Sequence, residues 1–311
     1  MARVLITGGT GLVGTAVKNL LLQKGYEVVL LTRSTVSKVG YAHWDINAGT
    51  IDTTAIAEAD FIIHLAGAGV ADKRWSVARK QEILDSRTKS SALLVKALQE
   101  TPNKVKAVIS ASAIGWYGPD NTNGDNNIAS QGFVETDSSY PDFLGTTCAA
   151  WEASIEPVTA NTNGLQKRLV CLRTGIVLSK QGGALKEFLK PLAVRMAAVL
   201  GNGKQMISWI DVRDLAKMFV YAIEHENISG SYNAVAPSPV SNKTLTKTLA
   251  SVLYGKFYIT TYVPSFILKI MLGEMSIEVL KSTTVSAQKI QDAGFVFDYP
   301  EITKSLSTLD L

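Results

Sequence analysis

Residues 3 to 14 read RVLITGGTGLVG, an apolar strand-like run that leads straight into a turn with glycines at positions 8, 11 and 14. A helix-like segment, TAVKNLLLQKG, follows at once. Few architectures accept that succession. Gly8 permits a tight turn, Gly11 lets backbone amides approach a pyrophosphate, and Gly14 lets helix pack closely on strand. Thr10, Leu12 and Val13 complete the turn, and the context of strand, turn and helix at the start of the chain points to dinucleotide binding.

The rest of the first half keeps the same rhythm. EVVLLTR, ADFIIHLAG and KAVISAS read as buried strands, with a long helical stretch from Ser76 to Glu100 between the last two. RLVCLRTGIVL reads as one further buried strand, and WIDVRDLAKMFVYAIEH as a turn and an amphipathic helix capped by Asp211 or Asp214. The segment PDNTNGDNNIASQG, residues 119–132, has the turn chemistry of a surface loop. Beyond Pro237 the pattern changes to shorter amphipathic helices. The expected fold is α/β, a doubly wound parallel sheet (Rossmann) with a second, smaller C-terminal α/β region. Residues 1–175 form the dinucleotide-binding domain, to which 206–235 return; residues 176–205 and 236–311 form a smaller substrate-capping domain.

Composition narrows the function. Among 311 residues, 31 lysines and arginines stand against 27 acids, a net +4 with the basic residues scattered, so no nucleic-acid footprint is expected. Two cysteines, Cys148 and Cys171, make no disulfide framework and fit a reducing compartment. His43, His64 and His225 lie far apart without companion cysteines, so no metal site is expected. Apolar stretches such as FILKIMLG are far shorter than a membrane span and no signal-peptide pattern opens the chain. The expectation is a cytoplasmic protein without membrane contact that acts on a small molecule.

The second strand ends in Thr32-Arg33-Ser34, where an NAD-selective site would carry Asp or Glu. An arginine there pairs with the 2′-phosphate of NADP(H) through charge-assisted hydrogen bonds; the alternative is an ordinary solvated charge. Asp45, closing YAHWDI, suits the adenine amino group or, equally, a turn before Asn47.

With TGGTGLVG, HLAG, SASAIGWYG and GNGKQMISWIDVRDLA in this order, the chain resembles the extended short-chain dehydrogenase/reductases, the superfamily of nucleotide-sugar epimerases and dehydratases. LAGAGVADKRW, EILDSRTKS, RTGIVLSKQGG and LGEMS…AGFVFDYPE are similar to an atypical branch of epimerase family proteins, some with cell-division-inhibitor-like names, over essentially the whole chain. The resemblance implies that Leu65, Ala66 and Gly67 border the adenosine ribose, that Arg33 selects NADP(H), and that Glu82 and Arg87 belong to a cofactor-associated motif. Read without the family, Glu82 and Arg87 are solvated helix charges, and His64 is a packed strand-end residue. The resemblance further implies a nucleotide-sugar substrate and a homodimer formed through the helices near 77–100 and 143–156.

Ser112 corresponds to the superfamily's catalytic serine or threonine, which hydrogen-bonds the reacting oxygen. Its partners should be Tyr-x-x-x-Lys on the next helix, the lysine lowering the tyrosine pKa and holding the nicotinamide ribose. Anchored on the helix ending AAWE, those positions fall at Leu144 and Cys148, and none of the ten tyrosines is followed four residues later by lysine. From Ala107 to Gln166 there is no lysine or arginine at all. Tyr140, followed by Pro141, marks a helix start; Tyr117 could face the pocket but has no cation nearby in sequence; Cys148 is a nucleophile or a packed apolar residue. Two functions stand: an NADP(H)-dependent oxidoreductase or epimerase/dehydratase with an atypical acid/base set, or a non-catalytic NADP(H)-binding redox sensor or partner-binding module.

Overall fold

Alternate residues of the first strand are apolar on both faces, which only a sheet covered on both sides can satisfy. The computed structural model, which describes residues 1–34, 38–120, 132–160 and 166–309, builds such a sheet. Its strands are β1 (Arg3–Thr7), β2 (Glu27–Thr32), β3 (Tyr41–Asp45), β4 (Thr50–Ile51), β5 (Phe61–His64), β6 (Ala107–Ala113) and β7 (Arg168–Thr174). Outside it follow β8 (Ile176–Ser179), β9 (Gly182–Gly183), β10 (Met196–Leu200), β11 (Met206–Ile207) and β12 (Trp209–Asp211); β13 (Gly230–Ala234) returns to it. The order is β13-β7-β6-β5-β1-β2-β3-β4, parallel throughout except for the β3–β4 pair. Val4 and Ile6 join one core cluster while Leu5, between them, joins the other.

Helices α1 (Leu12–Gln23), α2 (Thr53–Glu58), α3 (Val77–Glu100), α4 (Phe143–Ile155), α5 (Ala184–Leu192) and α6 (Val212–Glu224) complete the layers, α1 packing on α6 and α3 on α4. Ser76, Asp142 and Asp211 cap α3, α4 and α6, each accepting a backbone N–H. Asp211 is thus the cap of α6, and Asp214 lies buried in its first turn. A third core cluster, with Leu178, Leu185, Trp209 and Leu245, lies apart from the two clusters that flank the main sheet. The chain leaves β1 towards β2 on one side and comes back to β5 on the other, so the strand order reverses between Thr7 and His64, the usual crevice for a ligand.

One expectation changes. The single strand RLVCLRTGIVL is two: β7 stays in the main sheet, whereas β8 pairs with β12 in another. Gly175 is the break, where a Cβ would stand 2.5 Å from the Ser208 carbonyl oxygen. The helix expected near 143–156 runs from Phe143 to Ile155. Of the loop expected over 119–132, residues 121–131 lie outside the described residues.

A buried polar chain fastens the crevice. Thr7 Oγ1 accepts the N–H groups of Leu65 (3.0 Å) and Ala66 (3.1 Å), so its own proton goes to His64 Nδ1 at 2.8 Å. His64 Nε2 must therefore carry the ring proton, donating to Ser91 Oγ at 3.1 Å, and Ser91 in turn donates to the Arg87 carbonyl at 2.8 Å. The ring is fully buried, and burial pushes its pKa down from 6.5 to about 4. A depressed folded pKa means that this contribution to stability is complete above pH 6.5 and is lost as pH falls towards 4. The unfolding free energy of the wild type should fall by about 3 kcal/mol through that window on this account. His64→Gln should flatten the dependence in urea titrations at pH 7, 5.5 and 4; an unchanged pH profile in the variant would discount the imidazole.

Candidate functional site

The first glycine turn is built for close approach. Gly8 has φ +67°, and a Cβ there would lie 2.9 Å from the Leu65 carbonyl group; a Cβ on Gly14 would lie 2.4 Å from the Gly8 oxygen. Gly11 caps α1 without a side chain, leaving the amides of the first helical turn to an external partner, and Thr10 and Gly11 are exposed beside Leu12 and Val13. Thr10, Gly11 and Leu12 also line a recess of about 480 Å³ with Lys180 and Arg213. Arg33 and Ser34 are exposed just past the end of β2, with Ser34 donating its backbone N–H to Thr32 Oγ1. Glycines whose Cβ would collide, an uncapped helix start and an exposed guanidinium after the second strand suit a dinucleotide.

Asp45 takes the turn role at least in part: its Oδ1 accepts from Asn47 and Ala48 at 2.8 and 3.1 Å, and those bonds, Ala48 first, lower its pKa. Glu82 is exposed and pairs with Arg79 at 2.7 Å, again with a lowered pKa. Arg87 differs from the solvated charge that its sequence alone permits. Its guanidinium is packed against Gly67, lies over the Trp151 ring at 4.9 Å and donates to the carbonyls of Ala68 and Ile83. Burial lowers its pKa.

On α4, Leu144 touches Gly115 and Cys148 is buried, its thiol pushed up to about 12 by burial. That is an apolar packed cysteine rather than an activated nucleophile. Tyr117 does not face the pocket. It is fully buried, stacks on Phe133, donates to Asn233 Oδ1 at 2.7 Å, and is pushed up to about 12 by desolvation. A cation does reach it: Arg173 Nη1 donates to its hydroxyl at 3.1 Å. Tyr140 lies just before the Asp142 cap, with its ring on Gly118.

Ser112, at the end of β6, is 2% exposed, and its hydroxyl donates to Glu152 Oε1 at 2.6 Å. Arg173 forks onto the same carboxylate, Nε to Oε1 at 2.9 Å and Nη2 to Oε2 at 3.0 Å, and stacks on Trp116 at 3.6 Å. Burial draws the Arg173 pKa down, but the bonds to Glu152 and Tyr117 outweigh it and leave it raised. Glu152 and Arg173 were invisible as a pair in the sequence. The one available signal was spacing, since 144, 148 and 152 share a helix face. The stretch without cations is therefore served from outside, by Arg87, by Arg173, and by Lys281, whose Nζ lies 2.8 Å from Glu278 and 3.7 Å from Asp142. Among the described residues no group of three or more His, Cys, Asp or Glu is arranged to hold a metal, and no helix is long and apolar enough to cross a membrane.

The model of the NAD dependent epimerase/dehydratase family matches residues 4–234, and that of a domain of unknown function (DUF1731) matches residues 263–309. The chain belongs to the NAD dependent epimerase/dehydratase family. An epimerase family protein of Mycobacterium leprae is 31% identical, over 98% of this chain and 95% of that protein. Human epimerase family protein SDR39U1, solved with NADPH, superposes with a TM-score of 0.85 at 28% identity, covering 99% of this chain and 98% of that one. A nucleoside-diphosphate sugar epimerase from Corynebacterium glutamicum gives 0.76 at 30% identity, covering 98% of this chain but 58% of its own. Within this epimerase-type fold, the Ser112, Glu152 and Arg173 cluster ties β6, α4 and β7 together. Arg173→Leu leaves a largely buried carboxylate without its cation and should cost about 3–5 kcal/mol, read as a lower urea midpoint; a midpoint within error of the wild type would show that the pair is dispensable.

Proposed function

We propose that the protein binds NADP(H) along the carboxyl ends of β1, β2 and β5 and works as an oxidoreductase or epimerase on a small molecule of nucleotide-sugar type, in the cytoplasm. The observation that carries this reading is Arg87. The expected lysine position falls at Cys148, and a guanidinium from α3 packs on Gly67 and over the Trp151 ring of the same helix α4. Arg87 would thereby supply a cation on the ribose side where Leu144 stands in place of the phenol. Bound NADP(H) would donate or accept the hydride. Gly8, Thr10, Gly11, Leu12, Val13 and Gly14 would hold the pyrophosphate; Arg33, with Thr32 and Ser34, the 2′-phosphate; Asp45 the adenine; Leu65, Ala66 and Gly67 the ribose. Glu82 would act through its pairing with Arg79, and Ser112 would touch the reacting oxygen. Human SDR39U1, solved with NADPH, supports the choice of cofactor, and the Corynebacterium nucleoside-diphosphate sugar epimerase supports the substrate class.

A second reading is a protein that holds NADP(H) without turnover. It is favoured by one observation: the Ser112 proton is directed at Glu152 instead of an outside acceptor. A homodimer through α3 and α4 would cover exposed residues such as Val77, Gln81, Lys89, Lys96 and Thr146. Light scattering at micromolar concentration that returns the mass of a single chain would reject it.

Calorimetry should give at least several-fold tighter binding of NADPH than NADH. Arg33→Ala should reduce that preference by about ten- to a hundredfold, the worth of one charge-assisted bond. Arg87→Met should weaken both cofactors alike, since its partner would be the ribose end. Equal wild-type affinities for the two cofactors would remove NADP selectivity.

A further inference from the structure

We infer that Glu152, acting through Ser112, is the proton acceptor that replaces the absent tyrosine, and that the groove behind it carries the proton to solvent. The inference rests on the oxidoreductase reading above and adds a relay residue to it.

Three observations support it. The first is the direction of a hydrogen bond. Glu152 already accepts from Arg173 at 2.9 and 3.0 Å and from Ser231 Oγ at 3.1 Å, so the 2.6 Å contact is Ser112 donating to a carboxylate. A hydroxyl that has given its proton to a carboxylate has only lone pairs left for a third group. Ser112 is thus set to accept from a substrate hydroxyl. The second is the lack of a competitor on α4, where the positions one and two turns before Glu152 are Cys148, with its raised pKa, and Leu144. The third is access. Glu152 is 13% exposed in its side chain, and it lines a groove of about 700 Å³ between α4 and the strands β7 and β13, together with Trp116, Ala153, Lys167, Cys171 and Ser231.

The step balances in the direction of alcohol oxidation. The carbinol C–H bond breaks with its electron pair, which leaves as hydride to NADP⁺ and reduces it. The substrate O–H bond breaks, its proton forming a new bond to Ser112 Oγ, while the former Ser112 proton moves to Glu152. The substrate becomes a carbonyl compound, and Glu152 releases its proton through the groove. Ser112 ends as it began. Arg173 positions the carboxylate and balances its charge between turnovers.

The test is single-turnover reduction of saturating NADP⁺ by the wild type against a panel of secondary alcohols and nucleotide sugars, with NADPH affinity measured in parallel by fluorescence. Glu152→Gln and Ser112→Ala should each slow the hydride step by about 10²-fold or more, with NADPH affinity within about twofold of wild type. The double variant should be no slower than either single one. The solvent deuterium isotope effect on the wild-type hydride step should be lost in Glu152→Gln, which a purely structural role would not produce. Should the glutamine variant fold poorly, Glu152→Asp keeps a charge opposite Arg173 while drawing the carboxylate back from Ser112, and it should show the same slow step. Wild-type rates and isotope effect in either Glu152 variant, with Ser112→Ala slow, would overturn the relay alone. A wild type that binds NADPH but oxidises nothing in the panel overturns the relay and the enzyme reading together, and failure to bind NADPH overturns the cofactor assignment beneath both.

Discussion

The ion pair between Glu152 and Arg173 is the constraint on which the centre of this molecule depends. Arg173 is 4% exposed in its side chain, and a guanidinium so deep is tolerable only if its charge and most of its five donors are matched. Glu152 takes Nε and Nη2, while Nη1 goes to the Tyr117 hydroxyl and the Glu135 carbonyl. Each of these partners comes from a different part of the chain, so satisfying one cation fixes α4 against β7, orients Ser112 on β6, and buries Tyr117 beside β13. What the pair adds beyond stability is direction: it decides which way the hydroxyl of Ser112 points.

A second polar chain, from Thr7 through His64 and Ser91 to the backbone of Arg87, does similar work one strand away. It pins the end of β5 to the end of β1, where the strand order reverses, and connects both to the helix that bears Arg87. The two chains meet at α4, where Arg87 lies over the Trp151 ring one residue from Glu152. The crevice at the end of β1 and the Ser112–Glu152–Arg173 cluster are thus held by separate buried networks that share a helix. Buried polar networks of this kind fix one geometry because any slip leaves a donor or acceptor unmatched in a poorly solvated interior.

Much of this was legible beforehand. The glycine turn, the succession of apolar strands and amphipathic helices, and a cap at Asp211 or Asp214 are local signals, set by backbone sterics and by periodicities of two and 3.6 residues. The break at Gly175 was not, because RLVCLRTGIVL is uniformly apolar; what splits it is the carbonyl of Ser208, thirty-odd residues later, lying where a side chain would stand. Tyr117 was misjudged for the same kind of reason. Its neighbours in sequence allow an exposed phenol, whereas Phe133, Asn233 and Arg173 enclose it.

By itself, then, the sequence determined the doubly wound sheet, the dinucleotide turn, an arginine after the second strand, and the loss of the tyrosine and lysine from α4, since all of these are matters of which residue stands at which step of a regular element. Where the missing cations come from was decided only by the tertiary structure. Arg87 reaches Trp151 of α4 from α3, Arg173 reaches Glu152 from β7, and Lys281 reaches Asp142 from the C-terminal region. Charges act through space and burial strengthens them, so a segment of sixty residues without a lysine or arginine can still be rich in positive charge once the chain has folded around it.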